Sequence, residues 1–579
     1  MYTANSNLNA RLPAWRSYTL MGALGAGFAL LVGRAVYLQA YNREFLQEKG
    51  EARYSRVLKL EAIRGMITDR NGEPLAISTP VQSIWASPAD MDEMPSQQQI
   101  GQLAKLLGMT AADVTAKIAD RKRDFVFIKR QIQPELADRV LALNIPGIYK
   151  QQEYRRYYPA GEFLAHIIGQ TGIDDKGQEG MELTRNATLA GKPGSRHVIR
   201  DRRGYIVEDV SSVVKPQDGQ TLTLSIDRNL QYLAYRELKQ AVDVNKAKAG
   251  GLVMLDAKTG EVLALANIPS YNPNNRGAID PARKRNRALT DLYEPGSTMK
   301  PITAAAALEA GTFKPTTIID TQGGRMSIGP ATIHDAHPHG ALTVEQVIQV
   351  SSNVGAAKMA LSLGHEYHSD FLHSLGFGQV PHTGFPGEAA GRVRPWKTWR
   401  PIEQATMSYG HGISVSLIQM AHAYMVFANH GEIKPISFIK QVAPPPGKQV
   451  IKPETADAVK KMLEMVTQPG GTATRAQVVG YRVGGKTGTA NKLEGGGYSK
   501  NKYVSSFVGL APASDPRLIV AVMIDEATAG QYYGGTVAAP VFANVMGGAL
   551  RILGVPNDAP VNSIILPGMD QQEAAEGTM

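Results

Sequence analysis

The spacing of apolar positions changes several times along this chain, and each change marks a part. Tyr18 to Gly33 is an uncharged, mostly apolar stretch that resumes after Arg34 as Ala-Val-Tyr-Leu-Gln-Ala. A helix over residues 18–40 would reach roughly 34 Å at about 1.5 Å per residue, enough for a hydrocarbon core of about 30 Å. The pattern therefore predicts one transmembrane anchor over 18–40 behind a cytoplasmic tail of residues 1–17. Arg34 would snorkel to the outer interface beside Tyr37 and Tyr41. Arg11 and Arg16 precede the stretch and no acidic residue occurs before Glu44. The positive-inside bias then places the N-terminus in the cytoplasm and the rest of the chain outside. The alternative is a cleaved signal peptide, for which Gly33-Arg34-Ala35 is a poor cleavage site.

Residues 41–218 read as an extended α+β pedestal. They carry short strand-like runs, turns such as Arg70-Asn71-Gly72 and one helical stretch near Ile100 to Leu107. The basic run Arg121 to Arg123 leads into a Phe125, Phe127 alternation and reads as a solvated face before a strand. A turn cluster at Gln217-Asp218-Gly219 opens a second domain, expected over 219–555. It begins with an alternating strand, Thr221 to Ile226, and a helix from Asp227 to about Val242. Gly251 to Leu255 and Glu261 to Ala266 form a hairpin about Asp256 to Gly260. Tyr503 to Leu510 and Leu518 to Ile524 form another, turning at Ser514 to Pro516. Helical segments lie between: Ile302 to Ala310, Val344 to Leu363 and Leu417 to Ala428. This is an α/β chain of the α+β kind, an antiparallel sheet with edges from distant sequence, covered by helices and joined to a helical lobe. Residues 556–579, acidic and Gln-rich at their end, read as a mobile tail.

Composition narrows the chemistry. At 579 residues the chain exceeds one ordinary core. It contains no Cys, which excludes disulfides, a thiolate nucleophile and sulfur-ligated zinc. The formal charge of +10 suits nucleic acid, anionic lipid or an acidic polymer, but the basic residues are scattered.

Three short motifs, S-x-x-K, S-x-N and K-T-G, together define one kind of acyl-transfer site. Each alone is cheap. S-x-x-K begins at Ser212, Ser297, Ser437 and Ser499, and K-T-G at Lys258 and Lys486. Only Ser297 opens a helix, after Glu294-Pro295-Gly296 and before Pro301 and an alanine run. There the free N–H groups favour negative charge on the attacking oxygen and the tetrahedral intermediate. Its downstream partners are Ser351-Ser352-Asn353 and Lys486-Thr487-Gly488. Lys300 would take the Ser297 proton. Ser351 would relay a proton to the leaving amine, and Asn353 would hold the substrate amide and orient Lys300. Lys486 would supply positive potential for a substrate carboxylate, bound with Thr487, Gly488 and Thr489. The N–H groups of Ser297 and Thr489 would form the oxyanion hole. This chemistry calls for no metal and no cofactor.

Gly480 to Thr487 also matches the phosphate-binding pattern G-x-x-x-x-G-K-[ST], with Asp525-Glu526 ending a later apolar strand. A phosphate loop must open a helix, whereas Gly488 to Gly497 suits a strand and hairpin. His365 and His368 are spaced for no zinc helix and read as a solvated helix end. Met299 reads as core packing. His411, in Tyr409-Gly410-His411-Gly412, is either a loop residue or a ligand contact. Tyr532-Tyr533-Gly534-Gly535 either walls the cleft or closes a hairpin.

The chain resembles the class B penicillin-binding proteins, and within them the division-specific penicillin-binding protein 3 type. The resemblance rests on Arg64 to Ala76, Arg156 to Pro159 and Gly180 to Glu182 in the pedestal. It rests equally on Asn286-Arg287, Asp291, Glu294 to Pro301, Ser351 to Gly355, Gly485 to Thr489 and Tyr532 to Gly535. It implies a peptidoglycan D,D-transpeptidase whose donor is the D-Ala-D-Ala end of a stem peptide and whose acceptor is an amine on a neighbouring stem. β-Lactams would acylate Ser297, and Tyr532 would line the substrate site. Implied partners are a lipid II polymerase of the SEDS family, other division proteins and the inner membrane at the septum, with no nucleic acid. Val415-Ser416-Leu417-Ile418-Gln419 departs from the family's V-T-P-L-Q at a helix start. A β-lactamase would share the three motifs without needing an anchor or pedestal. A division scaffold or penicillin sensor would bind without turnover.

Overall fold

The computed structural model describes residues 13–41, 55–91, 93–200, 206–275, 277–494 and 496–561. Most of the expected terminal tails, 1–12 and 562–579, lies outside the described residues. Helix α1, Ala14–Val36, runs on into a π-helical turn, Tyr37–Tyr41. With a mean hydropathy of 1.6 over its most apolar window it is long and apolar enough to cross a membrane.

Chain contacts divide the protein into two units. The first contains Pro80–Glu153 and Lys192–Gln217 with the N-terminal residues. Its core packs helices Gln97–Leu107, Ala111–Ile118 and Pro134–Leu141 on a strand, Val126–Ile132, through Ile100, Leu103, Val114, Ile128 and Val140. The first of these helices starts where Ser96 and Gln99 form a capping box, and it ends at Gly108 with φ of 59°.

The second unit contains Ile63–Thr79, Tyr154–Gly191 and Asp218–Met579. Two segments of the stretch read as pedestal therefore group with the later part of the chain. They are locked to each other by charge. Glu182, fully buried, receives Arg64 Nε on one oxygen and Arg156 Nε on the other, each at 2.6 Å. The guanidiniums are completed by carbonyls: Arg64 Nη2 on Glu182 O at 2.8 Å and Arg156 Nη2 on Gly65 O at 2.7 Å. Buried ions are tolerable only when paired and hydrogen-bonded in this way.

The rest of this unit is built on a five-stranded antiparallel sheet. In chain order its elements begin with α2, Arg228–Val244, which Asp227 caps, then β1, Ala249–Asp256, and β2, Val262–Ile268. Next come α3, Lys300–Glu309, α4, Asn353–Leu361, and α5, Leu417–Ala423. The last are α6, Pro453–Thr467, β3, Gly484–Glu494, β4, Gly497–Ala511, β5, Leu518–Asp525, and α7, Ala539–Ile552. The strand order is β2-β1-β5-β4-β3, so both edges do come from distant sequence. The central strands are apolar throughout because both faces are covered. Leu252, Met254, Val520 and Val522 meet α2 and α7, while Val253, Leu255, Ile519 and Ala521 meet α5 and the helical lobe.

Three local expectations change. The strand expected over 221–226 shrinks to Leu222–Thr223, paired in parallel with Ile67–Thr68. The helix expected over 344–363 breaks into Val344–Gln349 and α4, because Ser351 takes a left-handed φ of 65°. His368 is not a solvated helix end. It is buried, its ring edge-on to Trp399 at 5.6 Å. The departure at Val415 to Gln419 is accommodated simply: Ser416 caps α5 and forms a capping box with Gln419.

Glu182→Ala is expected to cost about 3–5 kcal/mol, because it strands two buried guanidiniums. Urea unfolding of the variant would show this as a lower midpoint. Two buried histidines set an acid limit. Burial lowers His166 to about 4 against the pull of the Arg283 carbonyl, and burial with the nearby His365 lowers His368 to about 4. Below pH 6.5 the unfolded chain binds protons that the folded chain refuses. Stability is thus full above pH 6.5 and falls toward pH 4, by roughly 3 kcal/mol per histidine. The urea midpoint of His368→Phe should decline less between pH 7 and 4 than that of the parent.

Candidate active site

Ser297 sits on a tight turn. Gly296, with φ of 58°, starts a 3-10 turn, Gly296–Met299, that passes directly into α3, with Pro301 in its first turn, where a missing N–H costs nothing. Met299 is core, 1% exposed. One turn after Ser297, Lys300 is also 1% exposed. Its Nζ donates to the carbonyl of Ser351 and, at 2.9 Å, to the Ser351 hydroxyl. The left-handed backbone at Ser351 lets one residue offer both oxygens. Strain of this kind persists only where its surroundings hold it. Here Ser352 caps α4 and donates to Asp335 Oδ2 at 2.6 Å, Asp335 Oδ1 accepts from Val354 N at 2.9 Å, and Asn353 Nδ2 donates to His334 O at 2.8 Å.

Lys486, Thr487, Gly488 and Thr489 lie on β3, an edge strand, where alternate backbone groups have no sheet partner. Lys486 and Thr487 are fully buried. Lys486 Nζ donates to Thr487 Oγ1 at 3.1 Å, and that hydroxyl shares a 2.9 Å bond with Thr472. Thr489 Oγ1 accepts from Gly534 N at 3.0 Å. Tyr532 stacks on Tyr503 at 4.2 Å, and its carbonyl accepts the Ser505 hydroxyl. The Tyr532 to Gly535 segment thus braces β3 and β4 through backbone bonds.

The sequence-predicted residues form two groups, Ser297 with Lys300, Ser351 and Asn353, and the β3 run with Tyr532. Glycines bring the groups together. A Cβ on Gly488 would lie 2.7 Å from Pro295 O, and one on Gly410 would lie 2.2 Å from Gly296 O. Thr489 backbone atoms lie within 3.5 Å of where a Gly296 Cβ would stand.

The competing motifs disperse. Lys258 to Gly260 is the β1–β2 turn, with Lys258 paired to Asp515 at 2.6 Å. Ser437 donates to Ile439 O at 2.7 Å. Gly480 to Thr487 leads into a strand, not a helix, and Asp525 and Glu526 each hold Lys492 at 2.7 Å. The phosphate-loop alternative therefore lacks its required helix.

A cluster unforeseen as such is Glu294, His411 and Tyr498. Glu294 Oε1 accepts from Gly412 N at 2.8 Å and from the Tyr498 hydroxyl at 3.2 Å, and Oε2 lies 3.3 Å from His411 Nδ1. Burial, with the Glu294 carboxylate, pushes the Tyr498 phenol well up. Asp335 and Gly410 were also missed. The sequence signals were the glycine-flanked His411 and the acid three residues before Ser297.

This fold brings a serine at a helix start near two buried lysines, the residue types that acyl transfer needs. Residues 250–547 match the penicillin binding protein transpeptidase domain, and residues 59–224 match the penicillin-binding protein dimerisation domain. The chain belongs to the penicillin-binding proteins with these two domains. It is 46% identical over 549 residues, 94% of each chain, to the probable peptidoglycan D,D-transpeptidase PenA of Neisseria gonorrhoeae. It is 40% identical over 555 residues, 95% of this chain and 94% of the other, to the peptidoglycan D,D-transpeptidase FtsI of Escherichia coli K12. Among solved structures, the apo transpeptidase (TP) domain of Burkholderia pseudomallei penicillin-binding protein 3 is 48% identical, covering 58% of this chain and 98% of that one, with a TM-score of 0.55. With one helix among the described residues, α1, long and apolar enough to cross a membrane, the protein is membrane-anchored.

Gly410→Ala should slow acylation by a β-lactam roughly tenfold or more, because the added methyl displaces the Gly296–Ser297 peptide. Stopped-flow acylation kinetics of parent and variant would measure it.

Proposed function

We propose that this peptidoglycan D,D-transpeptidase works through an acyl-enzyme on Ser297. The observation that carries the reading is the bond between Lys300 Nζ and the Ser351 hydroxyl, one helical turn from Ser297 and beside β3. Lys300 takes the Ser297 proton as Oγ bonds to the carbonyl carbon of the penultimate D-Ala. The peptide C–N bond breaks, and Ser351 relays the proton to the departing D-Ala amine. An acceptor amine on a second stem then attacks the acyl carbon and gives up a proton to Lys300, and Ser297 Oγ departs and takes that proton back from Lys300. The N–H groups of Ser297 and Thr489 bind the oxyanion, which preorganised donors stabilise without reorientation. Lys486, with Thr487, Gly488 and Thr489, receives the substrate carboxylate, Asn353 holds the substrate amide, and Tyr532 borders the peptide.

β-Lactams, as mimics of the donor, acylate the same oxygen. Arg11 and Arg16, ahead of the apolar stretch, and their lack of acidic neighbours support a cytoplasmic N-terminus and a periplasmic catalytic unit. The likeness to FtsI supports work at the division septum beside a SEDS-family polymerase and other division proteins.

Intact mass of the full-length protein in detergent micelles, after incubation with a β-lactam, tests the reading. Wild type should gain one stable adduct, and Ser297→Ala none. Lys300→Met should slow acylation by at least about a hundredfold. An adduct that persists in Ser297→Ala would overturn the assignment.

A further inference from the structure

No step of the acyl transfer through Ser297 uses Glu294, the acid three residues before it, yet this carboxylate gathers three segments. Gly412 N and the Tyr498 hydroxyl both donate to Oε1, at 2.8 and 3.2 Å, and His411 Nδ1 lies 3.3 Å from Oε2. Oε2 is buried and makes no hydrogen bond among the described residues. A buried carboxylate whose hydrogen bonds come from neutral donors on one oxygen alone is costly, so what Glu294 supplies is geometry rather than stability.

Tyr498 reaches Glu294 from the end of the β3–β4 hairpin. The ladder runs in step from Gly484 opposite Leu510 to Asn491 opposite Tyr503, then shifts, so that Leu493 faces Tyr498. Residues 499–502 of β4 stand there against Lys492 alone. Extra residues on one strand bend it. The bend is fastened by Asn491 Nδ2, which donates to Ser499 O at 2.8 Å, and by Lys502, paired with Glu494 at 2.7 Å. It sets the Tyr498 ring edge-on to His411 at 5.9 Å and its hydroxyl on Glu294. Burial, and then the Glu294 carboxylate, push the phenol well up, so Tyr498 keeps its proton and stays a donor. Lys486, Thr487 and Thr489 belong to the part of the ladder before the shift, which holds them wherever the hairpin end lies.

We propose that Glu294 is a positioning residue for Ser297 and that Tyr498 is its brace: the hairpin end, hooked on Oε1, holds the 294–297 turn against β3, where Gly488 meets Pro295. The inference rests on the Ser297 reading and deepens it. Neither residue touches the reacting atoms. The brace sets the distance from Ser297 Oγ to a bound carbonyl, and a misplacement of about 1 Å in such a geometry costs on the order of a hundredfold in rate. Losing it therefore slows acylation itself, while the first, non-covalent complex, held by the β3 residues, forms as before.

The test mixes full-length protein in detergent micelles with a chromogenic β-lactam in stopped flow. Rates over a range of concentrations separate the acylation rate constant from the dissociation constant of the first complex. Tyr498 is 50% exposed, so Tyr498→Phe removes the hydroxyl without disturbing a core. It should acylate about tenfold more slowly, with the dissociation constant within about twofold of wild type. Glu294→Gln keeps an oxygen for both donors and should stay within about threefold of wild type, whereas Glu294→Leu keeps none and should fall at least about a hundredfold. Adding Tyr498→Phe to Glu294→Leu should cost nothing further, since the bond is already gone. If Glu294→Leu does not fold, Tyr498→Phe and Glu294→Gln decide. A Tyr498→Phe as fast as wild type, a slowing matched by a weaker first complex, or a Glu294→Gln slowed a hundredfold would overturn the brace and leave Ser297 in place. A wild type that gains no adduct on Ser297 would overturn the Ser297 reading itself.

Discussion

The site depends on the close approach of two backbones. The edge strand β3 and the loop ahead of α3 come together at Gly488 and Pro295, and the same loop is pressed from its other neighbour by Gly410 on Gly296. A side chain at Gly488 or Gly410 would force these backbones to shift. The contact also fixes which groups can serve an oxyanion, since only an edge strand has backbone N–H groups left over from its ladder. Lys300 and Lys486 are then buried against backbone and hydroxyl oxygens, which gives their donors partners in a water-poor site.

Strain and charge are concentrated rather than spread. Ser351 in its left-handed conformation is held by the Asp335 contacts at the start of α4. Glu182 holds two guanidiniums far from Ser297 in sequence and ties Ile63–Thr79 to Tyr154–Gly191. Both arrangements trade stability for geometry: the first presents two oxygens to one lysine, the second fixes two chain crossings.

Much of this was legible in the amino-acid pattern. The two hairpins, the apolar helices and the helix start at Ser297 follow from period, turn residues and Pro placement, all local properties. The β3 run was separable from the phosphate-loop reading because glycines and threonines after Lys486 cannot open a helix. What could not be read was non-local. Nothing near residue 351 announces a positive φ, since the groups that hold it, the Lys300 ammonium and the Asp335 carboxylate, come from other segments. Glu294, His411 and Tyr498 are one cluster contributed by three distant segments. His368 looked exposed because its partner, Trp399, lies in another segment. The sequence motifs named Arg64, Arg156 and Glu182 as notable residues, but only the structure shows them as one ion cluster.

The strand order has a consequence for how the protein is made. β1 and β5 are neighbours, Asp256 opposite Leu518, although roughly 260 residues of chain separate them. The S-x-x-K, S-x-N and K-T-G motifs are all synthesised before β5, yet β5 is the strand that joins the early hairpin to β4 and, through β4, to the strand bearing Lys486. Until β5 is made, the helices around Ser297 have no complete sheet to pack against. A chain cut short just before Leu518 would carry Ser297, Lys300, Ser351 and Lys486 but lack the strand that stands between the two hairpins.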